Sequence, residues 1–294
     1  MSWLKEADVT KKRSPIREKP LHVPGQSIDE TIARLWDDRG VTYAMGIAAF
    51  LCVALFEWYE WALNLPRRPW VISIPAALVV AYCLRGLFRL RRQTRLLEQG
   101  RDGERAVAEA LDELREDGCR VFHDIVGDGF NVDHVVISSH GIFVVETKAI
   151  SKPLRAGEDV KVRVEGNRIM AGAANLGSTP ITQAEANSRW VRNLLKESTG
   201  KSYPVKPCVV FPGWFVGPMP KGVARKVWVL NPTGLVYFIQ NEAVRVMEPD
   251  IHLAASHLSL YIRSPWRPSN SSFAAKVLAQ GRRSRSREGS GLIF

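Results

Sequence analysis

Hydrophobic positions change texture three times along this chain. From Val41 they are continuous rather than periodic: VTYAMGIAAFLCVALF runs over residues 41–56. After a short NLPRRP connection, WVISIPAALVVAYCL runs over 70–84. A membrane span takes roughly 20 apolar residues, so each run reaches that length only if Glu57 and Glu60, or Arg85, sit at an interface. A pair of buried core helices, or a re-entrant hairpin, would use the same pattern. Trp58, Tyr59, Trp61 and Trp70 cluster around the connection as an aromatic belt does. With the short loop, this favours a two-span helical hairpin over residues 41–88.

From residue 96 the pattern becomes that of a soluble α/β domain. In GERAVAEALDEL, residues 103–114, the apolar positions Val107, Ala110, Leu111 and Leu114 recur at helical spacing, and the run stops before Gly118. CRVFHDIV, DHVVISS and IFVVETKA are strand-like. GDGFN reads as a turn between the first two, and His140-Gly141 as the loop of a hairpin between the last two. KVRVEGNRIM predicts another hairpin, and Pro180 opens a helix over ITQAEANSRWVRNLLKES. VKPCVVFPG and RKVWVLN read as buried strands, with a helix-like PTGLVYFIQN after them. The alternation predicts a mixed sheet flanked by helices.

Two flanks differ. Residues 1–40 are polar, with Lys11, Lys12, Arg13, Arg17 and Lys19 among prolines 15, 20 and 24. They predict a flexible arm with a short helix over 27–39, Ser27 as its N-cap and Glu30 completing a capping box. Residues 265–294 are Arg/Ser-rich and too polar to pack, predicting a disordered basic tail. The sequence thus divides into an arm (1–40), a hairpin (41–88), an α/β domain (96–264) and a tail (265–294).

Charge narrows the partners. With 41 Lys and Arg against 30 Asp and Glu, the net charge is +11 and the pI about 9.7. Such a surplus suits a polyanion, either nucleic acid or an anionic membrane face. Arg85, Arg89, Arg91, Arg92 and Arg95 follow the second apolar run, against Arg67 and Arg68 in the connection. That asymmetry places the arm and the α/β domain on the cytoplasmic side of a cell membrane crossed twice. Four cysteines without Cys-x-x-Cys spacing, and six histidines without HExxH spacing, give no zinc signature.

The candidate chemistry lies in NVDHVVISSHGIFVVETKA, residues 131–149. With a His140-Gly141 loop, Asp133 lies opposite Lys148 and Val135 opposite Glu146. Period-two alternation then brings Asp133, Glu146 and Lys148 to one face. Two carboxylates offer hard oxygen ligands to Mg²⁺, and a lysine neutralises charge developing on a phosphate. A lone Glu-x-Lys is commonplace on a strand. Here it is embedded in apolar sequence, where a charge is costly unless paired or metal-bound.

These residues resemble the nuclease-related domain, NERD, a branch of the PD-(D/E)xK nuclease superfamily. The resemblance rests on Gly103-Glu104, His123-Asp124, Asn131-Val132-Asp133, the GIFVVETK string through Glu146 and Lys148, and Pro180-Ile-Thr-Gln183. It implies a restriction-endonuclease-like fold. It also implies Asp133 and Glu146 as metal carboxylates with Glu104 contributing, Lys148 as catalytic lysine and Gln183 near the site. Mg²⁺ is the implied cofactor, with Mn²⁺ as alternative, and DNA the implied substrate. A non-cleaving nucleic-acid-binding or scaffolding module of the same fold would use the same scaffold. His123, His134 and His140 are read as structural or turn residues, since metal-lysine chemistry needs no histidine base.

Overall fold

A computed structural model describes residues 21–63, 68–152, 161–172, 174–220, 222 and 226–264. The arm as far as residue 20, the hairpin connection 64–67 and the basic tail 265–294 lie outside the described residues.

Helix α1 (Gln26–Leu35) passes through a π-helical turn (Trp36–Gly40) into α2 (Val41–Ala62), and α3 (Trp70–Asp112) runs back beside it. The contact is close because it is made over small residues. A Cβ on Gly86 would fall 2.5 Å from the Tyr43 ring, and one on Gly46 would fall 3.1 Å from Cys83 Sγ. At the hairpin tip Trp58 packs edge-on against Trp61 and Trp70, and its indole N–H donates to Ser73 Oγ at 2.9 Å. Both helices are long and apolar enough to cross a membrane, and only 6% and 11% of their most apolar windows are buried by the rest of the protein.

One expectation changes here. The capping box at Ser27 does not form: Gly25 is the N-cap, in a left-handed conformation, and Ser27 turns its hydroxyl to Asp124 instead. No break separates residues 41–88 from the α/β segment that follows. The 43 residues of α3 form one helix, roughly 65 Å long at 1.5 Å per residue, and no helix breaker falls between residues 88 and 96.

Beyond a short 3₁₀ turn (Glu113–Arg115), β1 (Arg120–Val126), β2 (Asn131–Ser138) and β3 (Gly141–Thr147) form an antiparallel meander. Strands β4 (Lys161–Glu165), β5 (Arg168–Ala171) and β6 (Ala174–Gly177) follow, then α4 (Thr179–Thr199) and β7 (Val205–Val210). Last come β8 (Phe215–Val216), β9 (Trp228–Leu230), α5 (Pro232–Gln240) and α6 (Glu248–Arg263). The main sheet has the order β1-β2-β3-β7-β9, with β3, β7 and β9 parallel, and a smaller sheet has the order β6-β5-β4-β8. The fold is mixed α/β, two sheets flanked by helices.

Alternation along β2 and β3 explains how both faces are covered. Val135, Ile137, Ile142 and Val144 pack with Val191 and Leu195 of α4 and with Leu258 of α6. Val136, Phe143 and Val145 pack on the other side with Val107 and Leu111 of α3 and Leu235 of α5. α6 is not foreseen by the sequence reading, although Ile251, Ala254, Ala255, Leu258 and Ile262 repeat at helical spacing and are all buried.

The hairpin register also differs from expectation. Ser138 pairs with Gly141, so the loop is Ser139-His140, not His140-Gly141. Tertiary contacts choose it. Ser139 O accepts the backbone N–H groups of Arg245 and Val246 at 2.8 and 2.9 Å, and His140 Nδ1 meets Glu242 O at 2.5 Å. Gly141 is needed as the first strand residue: its φ is +141°, and a Cβ there would fall 3.2 Å from Pro204 O. The whole ladder slides, but by an even step, so every side chain keeps its face.

Candidate active site

Extended by one pair beyond His134–Val145, this register sets Asp133 across from Glu146, not Lys148. The Asp133 carboxylate reaches over the ladder, and Oδ2 accepts the Thr147 N–H at 2.7 Å. Glu146 is 3% exposed. Its two oxygens take different donors: Lys148 Nζ at 2.6 Å on Oε1 and Asn187 Nδ2 at 3.1 Å on Oε2. Lys148 also donates to Gln183 Oε1 at 3.1 Å, and its own backbone N–H extends the pairing with β7 onto Val210 O at 2.8 Å. Gln183 and Asn187, four residues apart, share one face of α4 and hold the lysine and the glutamate from above.

Glu104 arrives from α3. The helix approaches β3 this closely because Gly103 has no side chain: a Cβ there would fall 2.4 Å from Ala149 Cβ. Three carboxylates thus act on one ammonium, Glu146 by a direct bond and Asp133 and Glu104 through space, net −2 if all ionise. Burial first, then repulsion from Asp124 and Glu146, pushes the Glu104 carboxyl up to about 8, Lys148 and a bond from the Gly25 backbone only partly opposing it. Burial, Glu146 and Glu104 likewise hold Asp133 well above the usual carboxylate range. Burial would lower the Lys148 ammonium, but Glu146, Asp133 and Glu104 outweigh it and raise it. The lysine stays charged, and the acids compete for ionisation.

Behind the acids, residues that the sequence names without this role join in a second layer. Asp124 sits in β1 across from Asp133, at the one place where the β1–β2 ladder is interrupted, with φ +49°. It is 2% exposed and accepts Ser27 N–H at 2.7 Å, Ser27 Oγ at 2.6 Å and Asn131 Nδ2 at 2.7 Å. Asn131 Nδ2 donates to Ser27 Oγ as well, and Asn187 Nδ2 reaches Asn131 O at 3.4 Å on its way to Glu146. Asp29 of α1 pairs with Arg101 and Arg105 of α3. Residues 21–35, assigned to a polar arm by composition, are therefore built into the site's supporting layer. Ser27 is 97 residues from Asp124 in sequence, so no local pattern could join them.

Residues 99–212 match NERD, the nuclease-related domain. No curated protein and no solved structure matches the chain. The NERD segment covers the end of α3 through β7 and so holds Glu104, Asp133, Glu146, Lys148, Gln183 and Asn187. It leaves out α1 with Ser27, and β9, α5 and α6, which complete the main sheet and both its covering layers.

The three histidines take structural places. His123 and His134 meet Nδ1 to Nδ1 at 2.8 Å within the sheet, where burial lowers both, His123 to about 4. His140 is the turn residue described above.

Among the described residues, no three His, Cys, Asp or Glu side chains close around a single point as a ready metal-ligand set. The donor chemistry does fit a hard cation: carboxylate oxygens only, and an uncompensated negative charge that burial makes costly.

Proposed function

We propose that this protein is a membrane-anchored, metal-dependent nuclease that hydrolyses phosphodiester bonds of DNA at the cytoplasmic face. The observation that carries the reading is that three mutually repelling carboxylates, Glu104, Asp133 and Glu146, all act on the charged Lys148 within a NERD segment. Asp133, Glu104 and Glu146 would hold Mg²⁺, or Mn²⁺ in its place. Such an ion lowers the pKa of a bound water and stabilises charge on phosphate oxygens.

The chain's own residues prepare that chemistry. Thr147 N–H fixes the direction of Asp133, leaving Oδ1 for a ligand. Asn187 fixes Glu146. Lys148, kept charged by its acidic neighbours and steered by Gln183, presents an ammonium where negative charge develops on the phosphoryl oxygens. A mixed sheet with the acids at the ends of its central strands suits a restriction-endonuclease-like arrangement. Unburied apolar helices, a Trp-rich hairpin tip and Arg85, Arg89, Arg91, Arg92 and Arg95 support two spans with the site on the cytoplasmic side.

The test is cleavage of labelled linear DNA by the full chain in detergent micelles, with Mg²⁺, with Mn²⁺ and with EDTA. Activity in either metal should fall about 100-fold or more in Asp133→Ala. The full chain matters because a fragment starting at residue 96 would lack Ser27 and its bonds to Asp124. One observation favours a non-cleaving module of the same fold: both oxygens of Glu146 are already engaged by protein donors. Salt-dependent DNA binding that survives Asp133→Ala and Lys148→Ala together, without turnover in either metal, would establish that alternative.

A further inference from the structure

On the side of α4 turned away from the carboxylates lies a groove of about 1060 Å³, bounded by α4, the start of β3, β7 and the segment after α5. Arg189, Arg192, Lys206, Lys226 and Arg245 line it, against Glu185 and Glu242, a formal excess of three positive charges. Part of that charge is held in place. Arg192 Nη2 donates to Val205 O at 3.1 Å, Arg245 pairs with Glu242 at 2.6 Å, and Lys206 lies over the Trp228 ring at 5.2 Å. Burial first, with Arg245 adding to it, lowers the Lys206 ammonium.

Two hydroxyls make this more than a basic patch. Ser188 is 2% exposed and Tyr203 6% exposed, both line the groove, and neither hydroxyl has a hydrogen-bond partner among the described residues. Buried hydroxyls are rarely left unpaired, because each one forfeits its bonds to water. Cations on four separate segments, with two buried hydroxyls that have no protein partner in the wall between them, match the oxygens of a phosphodiester backbone. Such backbones are bound by Arg and Lys together with Ser and Tyr hydroxyls.

We propose that this groove is a second binding site, one that grips the sugar–phosphate backbone of the nucleic acid away from the point of cleavage. Along β3 the groove's end at Phe143 lies three residues from Glu146, about 10 Å at strand spacing. That spans about three steps of one DNA strand at 3.4 Å each. α4 serves both sites, with Gln183 and Asn187 towards the carboxylates and Ser188, Arg189 and Arg192 towards the groove. The proposal rests on the phosphodiester-cleaving reading for its choice of polyanion, and it assigns these residues to holding rather than cutting.

Fluorescence anisotropy of the full chain in micelles, with a labelled 30-nucleotide DNA in EDTA, separates the two claims. The exposed residues allow a variant that leaves the core untouched, Arg189→Ala with Arg245→Ala. Ser188→Ala is a second variant that keeps all the charge. For the double variant the slope of log affinity against log salt should flatten by about 1 to 2, and affinity should fall at least about tenfold at moderate salt. Ser188→Ala should weaken binding without changing the slope. Asp133→Asn should bind as the parent does while cleaving nothing. Parental affinity and slope in the double variant would overturn the groove proposal and leave the cleavage reading intact. It would also be overturned if the same residues governed binding to phosphatidylserine vesicles or polyglutamate but not to DNA.

Discussion

Val132, Val135, Val136, Ile142, Val144 and Val145 in the central strand pair have no exposed surface. Val53, Leu55, Phe56, Val71, Ile74 and Leu78 in the paired helices expose from 48% to 68% of theirs. Both sets are large apolar side chains, and what differs is what covers them. In the strand pair, helices on both faces supply the cover, and the charges at the strand ends are answered by Lys148, Asn187 and backbone N–H groups. In the hairpin each helix covers only a narrow seam of the other. A surface that apolar takes its stability from a partner or a bilayer, and two helices satisfy their own backbones as a bilayer demands. The contrast turns the hairpin from a matter of composition into one of unmet burial.

The most direct way to break the comparison is to truncate both regions alike. Ile142→Ala should destabilise the α/β body by about 2–5 kcal/mol, read by thermal melting in micelles. Leu55→Ala should leave that melt within about 0.5 kcal/mol, whereas Leu55→Arg should release the protein from carbonate-washed membranes. Equal melting losses at the two sites would mean that the hairpin belongs to the core.

Gly103→Val sharpens the account of how α3 meets the sheet. Its added Cβ would stand 2.4 Å from Ala149 Cβ, and overpacking of this kind costs about 1–3 kcal/mol. Cleavage should fall further than the melt suggests, since Glu104 moves with the helix. Ser27→Ala removes one of the donors to buried Asp124, about 1–2 kcal/mol. A melt unchanged by this variant would detach α1 from the body.

A further effect appears only as pH changes. Glu104 carries its proton in the folded protein up to about pH 8, against 4.5 ordinarily. A carboxyl raised in this way favours folding below its unfolded pKa and loses that contribution as pH climbs from 4.5 through 8. Glu104→Gln should therefore melt like the parent at pH 5 and above it at pH 8.5, by about 2–4 °C for each kcal/mol of repulsion relieved.

Much of this was legible in the chain. Apolar, β-branched runs marked β2 and β3 as strands, and parity alone brought Asp133, Glu146 and Lys148 to one face even with other partners assigned. Pro180 marked the start of α4, and Gln183 lies on Lys148. Less legible was whatever distant residues decide. The Ser139-His140 turn is set by residues 242–246, a hundred positions away. Asn187 reads as an ordinary polar helix residue until its spacing from Gln183 is set against the sheet. Asp124 drew notice only as part of a motif, because its role depends on Ser27. The length of α3 was hidden by a change of composition near residue 90, where apolar gives way to charged without any helix breaker.

That unbroken helix has a mechanical consequence. Between Phe88 and Glu104 it rises sixteen residues, roughly 24 Å. α1 forms a second strut, continuous with α2 and fastened to the body through Ser27. With the hairpin in a bilayer, two struts leave no swivel, so the acids stand off the lipid at a set height and heading. One residue inserted near position 93 would wind the body by about 100° against the second strut, whereas a flexible tether would absorb it unnoticed.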